Sequence, residues 1–123
     1  MTKKVLGVGN CSFDHGTIET LILANFDAVV VAVSLKDEAL EKLRAGPFDL
    51  VLVNRRLAND ASEGMALIEQ IKADPQLAAT PVMLLSNYDD AQQAAVAAGA
   101  EPGFGKAQLA LPETLEKLGR ILA

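Results

Sequence analysis

The sequence predicts an α/β domain built on a parallel sheet with helices on both of its faces. Two observations carry that expectation. Residues 4–8, 28–33, 48–53 and 82–86 are short runs rich in valine and leucine without polar alternation, the pattern of strands buried on both sides. Between them, apolar residues recur at three- and four-residue spacing, the pattern of amphipathic helices. Parallel strands need a crossover, and helical crossovers cover the sheet, so alternation of these two patterns implies helices on both faces.

The elements follow in order. After the first run, Ile18, Leu21 and Ile22 mark a helix, and residues 28–33 return as the second strand. Ser34 then precedes a helix with Asp37 and Glu38 in its first turn and Leu35, Ala39, Leu40 and Leu43 on its apolar side. Gly46-Pro47 stops it before the third strand. Leu67, Ile68 and Ile71 lie on a third helix that Asp74-Pro75 ends, and Thr80-Pro81 leads into the fourth strand. Asp89 and Asp90 open an alanine-rich helix that reaches Gly99. Residues 101–106 contain Pro102, Gly103 and Gly105, so they are expected to form only a short edge strand. Pro112 and Glu113 suit the first turn of a last helix carrying Leu115, Leu118, Ile121 and Leu122.

Composition narrows the function. The 123 residues are expected to form a single domain, residues 1–123, with 50% hydrophobic residues to supply its core. Eleven Lys and Arg against sixteen Asp and Glu give a formal charge of -5, which disfavours a nucleic-acid footprint and an anionic membrane surface. No apolar stretch approaches the roughly 20 residues of a spanning helix. With one cysteine, Cys11, and no Cys/His cluster at zinc spacing, neither an internal disulfide nor a resident metal or cofactor is expected. The expected location is the cytoplasm.

One stretch is more specific. Gly64-Met65-Ala66-Leu67-Ile68-Glu69-Gln70-Ile71-Lys72, then Thr80-Pro81-Val82-Met83-Leu84-Leu85-Ser86, and later Ala98-Gly99-Ala100 and Lys106, resemble the CheY-like receiver domain of bacterial response regulators over essentially the whole chain. The resemblance implies a flavodoxin-like (βα)5 three-layer sandwich with sheet order 2-1-3-4-5 and a site at the carboxyl ends of the first and third strands. It also implies where the chemistry belongs. Two acids after the first strand hold Mg²⁺, an Asp ends the third strand and accepts phosphate, a Ser or Thr ends the fourth, and a Lys ends the fifth.

Those positions read Gly9, Asn10, Asn54, Ser86 and Lys106. The three carboxylates are gone. An amide is a feeble nucleophile, glycine offers no side-chain ligand, and Mg²⁺ prefers anionic oxygens, so neither phosphoryl transfer nor metal binding is expected. The loop from Leu57 to Gly64 runs about two residues longer than the family's, Gly103 replaces the aromatic three residues before the lysine with Phe104 pointing to the other face, and Ala107 replaces the usual proline and favours a trans bond. The sequence is similar to a pseudo-receiver.

The retained Ser86 and Lys106 admit two readings. Lys106, without its carboxylate, donates to Asn54, Asn10 or backbone carbonyls with Ser86 completing the network; or it attracts an anion. Arg55 and Arg56 are candidate contacts for an anion or for a partner's carboxylates, against the alternative of solvated loop charges. Cys11, Asp14 and His15 sit near the metal corner. A Cys-His nucleophile is weighed there against a buried cysteine and an Asp14 serving the helix start. Residues 7–12 match a dinucleotide loop only in part. The expected function is a non-enzymatic, phosphorylation-independent module that binds a signalling protein or a second copy through the fourth helix, fifth strand and fifth helix. The alternative is a sensor of an anionic small ligand.

Overall fold

Five strands and five α-helices alternate along the chain: β1 (Lys3–Val8), α1 (Ser12–Asn25), β2 (Ala28–Val33), α2 (Lys36–Ala45), β3 (Leu50–Asn54), α3 (Gly64–Ala73), β4 (Val82–Leu85), α4 (Asp89–Ala97), β5 (Glu101–Phe104) and α5 (Pro112–Leu122). A short 3₁₀ turn, Lys106–Gln108, precedes α5. This computed structural model describes residues 2–58 and 62–123. The strands pair in parallel in the order β2-β1-β3-β4-β5. The expected doubly wound sandwich is therefore the observed fold.

Strand period separates the core into two layers. Leu6, Val8, Val51, Val53, Val82 and Leu84 face α2, α3 and α4, which contribute Ala39, Leu43, Leu67, Ile68, Ile71 and Ala95. The intervening Val5, Leu50, Leu52, Met83, Leu85 and Phe104 face α1 and α5, through Ile18, Ile22, Leu118 and Leu122. Full burial of each such side chain contributes about 1.5–3 kcal/mol, enough to select one register for every strand. Phe104 does point to the face opposite Gly103's neighbours.

Several boundaries differ from expectation. β3 begins at Leu50, because Asp49 turns its carboxylate to the Lys4 backbone N–H at 2.8 Å while the Lys4 ammonium lies 4.6 Å from the centre of the Phe48 ring. The residue capping α2 is Leu35, not Ser34; Glu38 reaches back from the first turn and accepts from the N–H groups of both, at 3.0 Å and 3.2 Å. β4 ends at Leu85 and β5 at Phe104, so Ser86 and Lys106 lie just beyond the strands. No cis peptide bond occurs among the described residues, and the Lys106–Ala107 link is trans as expected.

The weak fifth strand is held by a side chain. Between Met83 and Leu85 its register against β4 is irregular. Gln92 of α4 spans the gap: its amide donates to the Leu84 carbonyl at 2.9 Å and the Ser86 carbonyl at 3.1 Å, and its Oε1 accepts from the Gly103 N–H at 3.1 Å. Gly103 is required there, because a Cβ would collide with the Leu84 backbone. Truncation by Gln92→Ala strands three half-buried backbone groups and is expected to lower stability by about 2 kcal/mol in urea titration, with an unchanged denaturant slope.

Candidate functional site

At the carboxyl ends of parallel strands the chain must turn from sheet to helix, and β1, β3, β4 and β5 bring four such turns together. This is where Gly9, Asn10, Asn54, Arg55, Arg56, Ser86 and Lys106 gather. A cavity of about 200 Å³ is lined by Asn54, Arg55, Arg56, Ser86, Tyr88 and Lys106 among others.

Lys106 is the main correction to the sequence reading. It has neither lost a carboxylate partner nor turned to Asn54 or Asn10. Its Nζ donates to Asp14 Oδ2 at 2.7 Å, across 92 residues of sequence, with both side chains about 30% exposed (28% and 31%). Asp14 stands in the first turn of α1, so it serves the helix start and neutralises the lysine together. The Lys106 hydrogen bond holds its carboxyl below the ordinary value, assisted by the Cys11 thiol and opposed by partial burial. Ser86 does not complete a network around the lysine. Its Oγ accepts from the Tyr88 N–H at 3.1 Å at the start of α4.

Asn54 is turned toward backbone. Its amide nitrogen donates to the Arg56 carbonyl at 2.6 Å and to the Gly9 carbonyl at 3.3 Å. Such an amide closes the β3 turn; a carboxylate here would face two carbonyl oxygens and repel both. Gly9 adopts a positive φ of 78°, and the turn after β3 rests on it: the Ala58 N–H donates to the Gly9 carbonyl at 2.9 Å, and a Cβ on Gly9 would sit 2.9 Å from the Leu57 Cα. The first metal-corner position is therefore filled by fully buried Leu57, and an acid cannot stand there without displacing backbone.

The residues present do not fit Mg²⁺. The Gly9 carbonyl is committed twice, Asp14 Oδ2 is committed to Lys106, and Asn10 and Asn54 offer only neutral side-chain oxygens, that of Asn10 buried without a hydrogen-bond partner. Among the described residues, no group of three His, Cys, Asp or Glu is placed to hold a metal ion.

The arginines diverge. Arg55 lies over the Tyr88 ring, 5.1 Å from its centre, while Arg56 pairs with Glu63 at 3.5 Å across an antiparallel bridge that pinches the β3–α3 turn. The Leu57 N–H bonds the Ser62 carbonyl at 2.9 Å inside the same turn. Residues 59–61, where the extra length of this loop was expected, lie outside the described residues. Cys11 is exposed, contrary to the buried cysteine expected, because it is the residue capping α1. His15 lies against Gly7 of β1, with Nδ1 3.4 Å from where a Cβ would stand. The sequence reading missed Asp14 as the partner of Lys106, Glu63 as the partner of Arg56, and Gln92 altogether. Asp14 alone carried a signal, its position in the turn beside the metal corner.

No protein-family model matches the sequence, and no curated protein matches it either. Solved structures do. The chain is similar to a response regulator from Thermotoga maritima, with 24% identity over 98% of both chains and a TM-score of 0.78. It is similar to a putative response regulator from Chloroflexus aurantiacus at 16% identity over 98% of both chains, with a TM-score of 0.79. The chemotaxis response regulator CheY4 of Vibrio cholerae matches at 19% identity, over 99% of this chain and 100% of that one, with a TM-score of 0.75. At such identities the shared property is the fold, that of response-regulator receiver domains.

Two outcomes are expected of this geometry. Because the Asp14 pKa is lowered in the folded state, its contribution is complete above the ordinary value of 3.8 and is lost as the pH falls through the lowered one. Asp14→Asn should thus cost about 1 kcal/mol in urea unfolding at neutral pH, with the gap from the unsubstituted protein closing below about pH 4. Gly9→Asp, which places the family's acid back in position, should lower stability by about 2–4 kcal/mol in the same assay, through its positive φ and the collision with Leu57.

Proposed function

We propose that this chain is a pseudo-receiver, a regulatory module of a signalling pathway that works by binding a protein partner without being phosphorylated. The observation that carries the reading is the acceptor position itself: Asn54 carries an amide there, and its nitrogen is turned onto the Gly9 and Arg56 carbonyls. The acceptor position therefore lacks a nucleophilic oxygen anion. Signalling as the setting is carried over from the response regulators whose fold the chain shares.

The binding face we assign is α4-β5-α5. Gln92, Val96, Pro102, Gly103 and Lys117 border a groove of about 470 Å³ on it, and Val96 is 44% exposed. Lys117 is fixed along this face by donating to the Gly103 carbonyl at 2.8 Å. The groove is apolar enough to take a partner's side chains, with polar groups at its border to set orientation. A second copy of the chain is one partner that suits it; no catalytic residue, nucleic-acid contact or membrane contact is part of the proposal, and its setting is the cytoplasm.

The sensor alternative draws on the cavity beside Asn54, where Arg55 has an aromatic rather than a carboxylate neighbour. Intact mass after incubation with Mg²⁺ and acetyl phosphate separates the readings: no phosphoryl adduct is expected, and an adduct on the protein would sink the pseudo-receiver. Titration with inorganic phosphate, followed by amide shifts, is expected to leave Arg55, Ser86 and Lys106 unmoved; saturable shifts there would favour the sensor. In affinity capture from the source cell, Val96→Asp should lose a partner that Asn54→Ala retains.

A further inference from the structure

Arg55, Arg56 and Lys106 reach the carboxyl ends of the strands, and two of these cations are balanced. Lys106 pairs with Asp14 at 2.7 Å and Arg56 with Glu63 at 3.5 Å. Arg55 forms no ion pair among the described residues. Its backbone is anchored on both sides, the N–H donating to the Leu85 carbonyl at 3.2 Å and the carbonyl accepting from the Gly64 N–H at 2.8 Å. Its guanidinium lies over the Tyr88 ring, 5.1 Å from the centre. A ring face steadies a guanidinium by its plane and occupies none of its N–H groups, so the fork stays available for a planar acceptor.

The cavity of about 200 Å³ that Arg55 lines holds further donors. Ser86 is buried, and its Oγ accepts from the Tyr88 N–H, which leaves the hydroxyl hydrogen to give. Asn87 is locked by its oxygen: Oδ1 accepts from the Ala107 N–H at 3.1 Å, in a place that a Cβ on Gly105 would block. The amide nitrogen is the end of Asn87 that remains to donate. Asn54, its nitrogen committed to backbone, keeps one acceptor oxygen. An unbalanced guanidinium with two further donors beside it suits one carboxylate. A phosphate dianion would bring a second charge with no unpaired cation to meet it.

Cavity and groove adjoin. Ser86 and Asn87 line this cavity and also the groove of about 470 Å³ along α4, β5 and α5, whereas Asp89 borders the groove alone. We propose, on the premise that this groove is the binding face, that its occupant is an acidic segment of a different protein. Apolar side chains of the segment lie in the groove against Val96 and Pro102, and one Asp or Glu carboxylate passes Ser86 and Asn87 onto Arg55. A lone charge pair is weak in water, so a free anion does not hold the cavity; tethering through the groove supplies the effective concentration that the single contact needs. The site thus reads a carboxylate only as part of a segment.

Short random peptides displayed on phage and selected on the full chain test the proposal. The selected peptides should share one Asp or Glu at a fixed distance from apolar residues. Made synthetically, they should bind Arg55→Glu about tenfold or more weakly by fluorescence polarisation, and Arg55→Lys with a smaller loss, because lysine keeps the charge without the fork. Changing the peptide's acid to lysine should restore binding to Arg55→Glu, an exchange that a structural role for Arg55 does not produce. Val96→Asp should weaken the same peptides. Acetate at up to about 10 mM should leave the amide signals of Arg55 and Asn87 in place. Should Arg55→Glu misfold, Arg55→Lys and an acid-to-amide change in the peptide carry the comparison. Peptides weakened by Val96→Asp that share no acid, or that ignore both Arg55 variants, would overturn the carboxylate site and leave the groove standing. Finding no peptide that Val96→Asp weakens would remove the groove and this proposal with it. Saturable shifts with acetate alone, or self-association that Arg55→Glu abolishes, would give the cavity to a free acid or to a second copy and overturn the proposal.

Discussion

A lysine at the polar end of a parallel sheet needs a negative partner, and the way this chain supplies one organises its site. Strand-end carboxylates are the direct solution on this fold; the chain instead brings Asp14 from the first turn of α1 to within 2.7 Å of Lys106. The ion pair is anchored on elements that pack together through Ile18, Ile22, Phe104, Leu118 and Leu122, so its geometry is set by the core beneath it. With the charge balanced there, the centre of the site has no need of anions. Asn54 is free to serve the backbone, and the turn after β3 is free to settle on Gly9.

The rebuilt corner is consistent at every level. Positive φ at Gly9, the burial of Leu57, the Arg56–Glu63 bridge and the Asn54 amide each favour the same closed turn. Replacing one member leaves the others holding it, so a lone acid cannot rebuild a metal site there. On the far side, Gln92 ties α4 to β4 and β5 by three hydrogen bonds, connecting the helix to the strands through Ser86 and Gly103. The groove of the proposed binding face is thus held in shape by the fold itself.

Much of this was legible in the sequence, and the physics explains which part. Residues 82–86 read as a buried strand because burial on both faces leaves no polar alternation, whereas residues 28–33, read the same way, form a strand at the sheet edge with Val29 48% exposed, and Pro112 and Asp74-Pro75 mark helix ends because proline has no N–H to give. The altered corner was legible as missing carboxylates at Gly9, Asn10 and Asn54. What replaced them was not. Lys106 and Asp14 are 92 residues apart and carry no local pattern, and Gln92 looks like an ordinary polar helix residue until its amide is seen bridging an irregular ladder. Cys11 was expected to be buried from the habits of cysteine, whereas the geometry of a helix start placed it in solvent.

The central claim is that the corner formed by Gly9, Asn10 and Asn54 has closed against a divalent ion through its backbone and has not merely lost its acids. Paramagnetic broadening by Mn²⁺ tests it most directly, because a single bound ion erases nearby amide signals selectively. At Mn²⁺ concentrations up to about 1 mM, the upper end of the range over which weak oxygen-ligand cation sites fill, the signals of Gly9, Asn10, Asn54 and Arg56 should broaden no more than those of exposed acidic residues elsewhere. Selective, saturable loss of those four signals, reversed by excess Mg²⁺, would contradict the account.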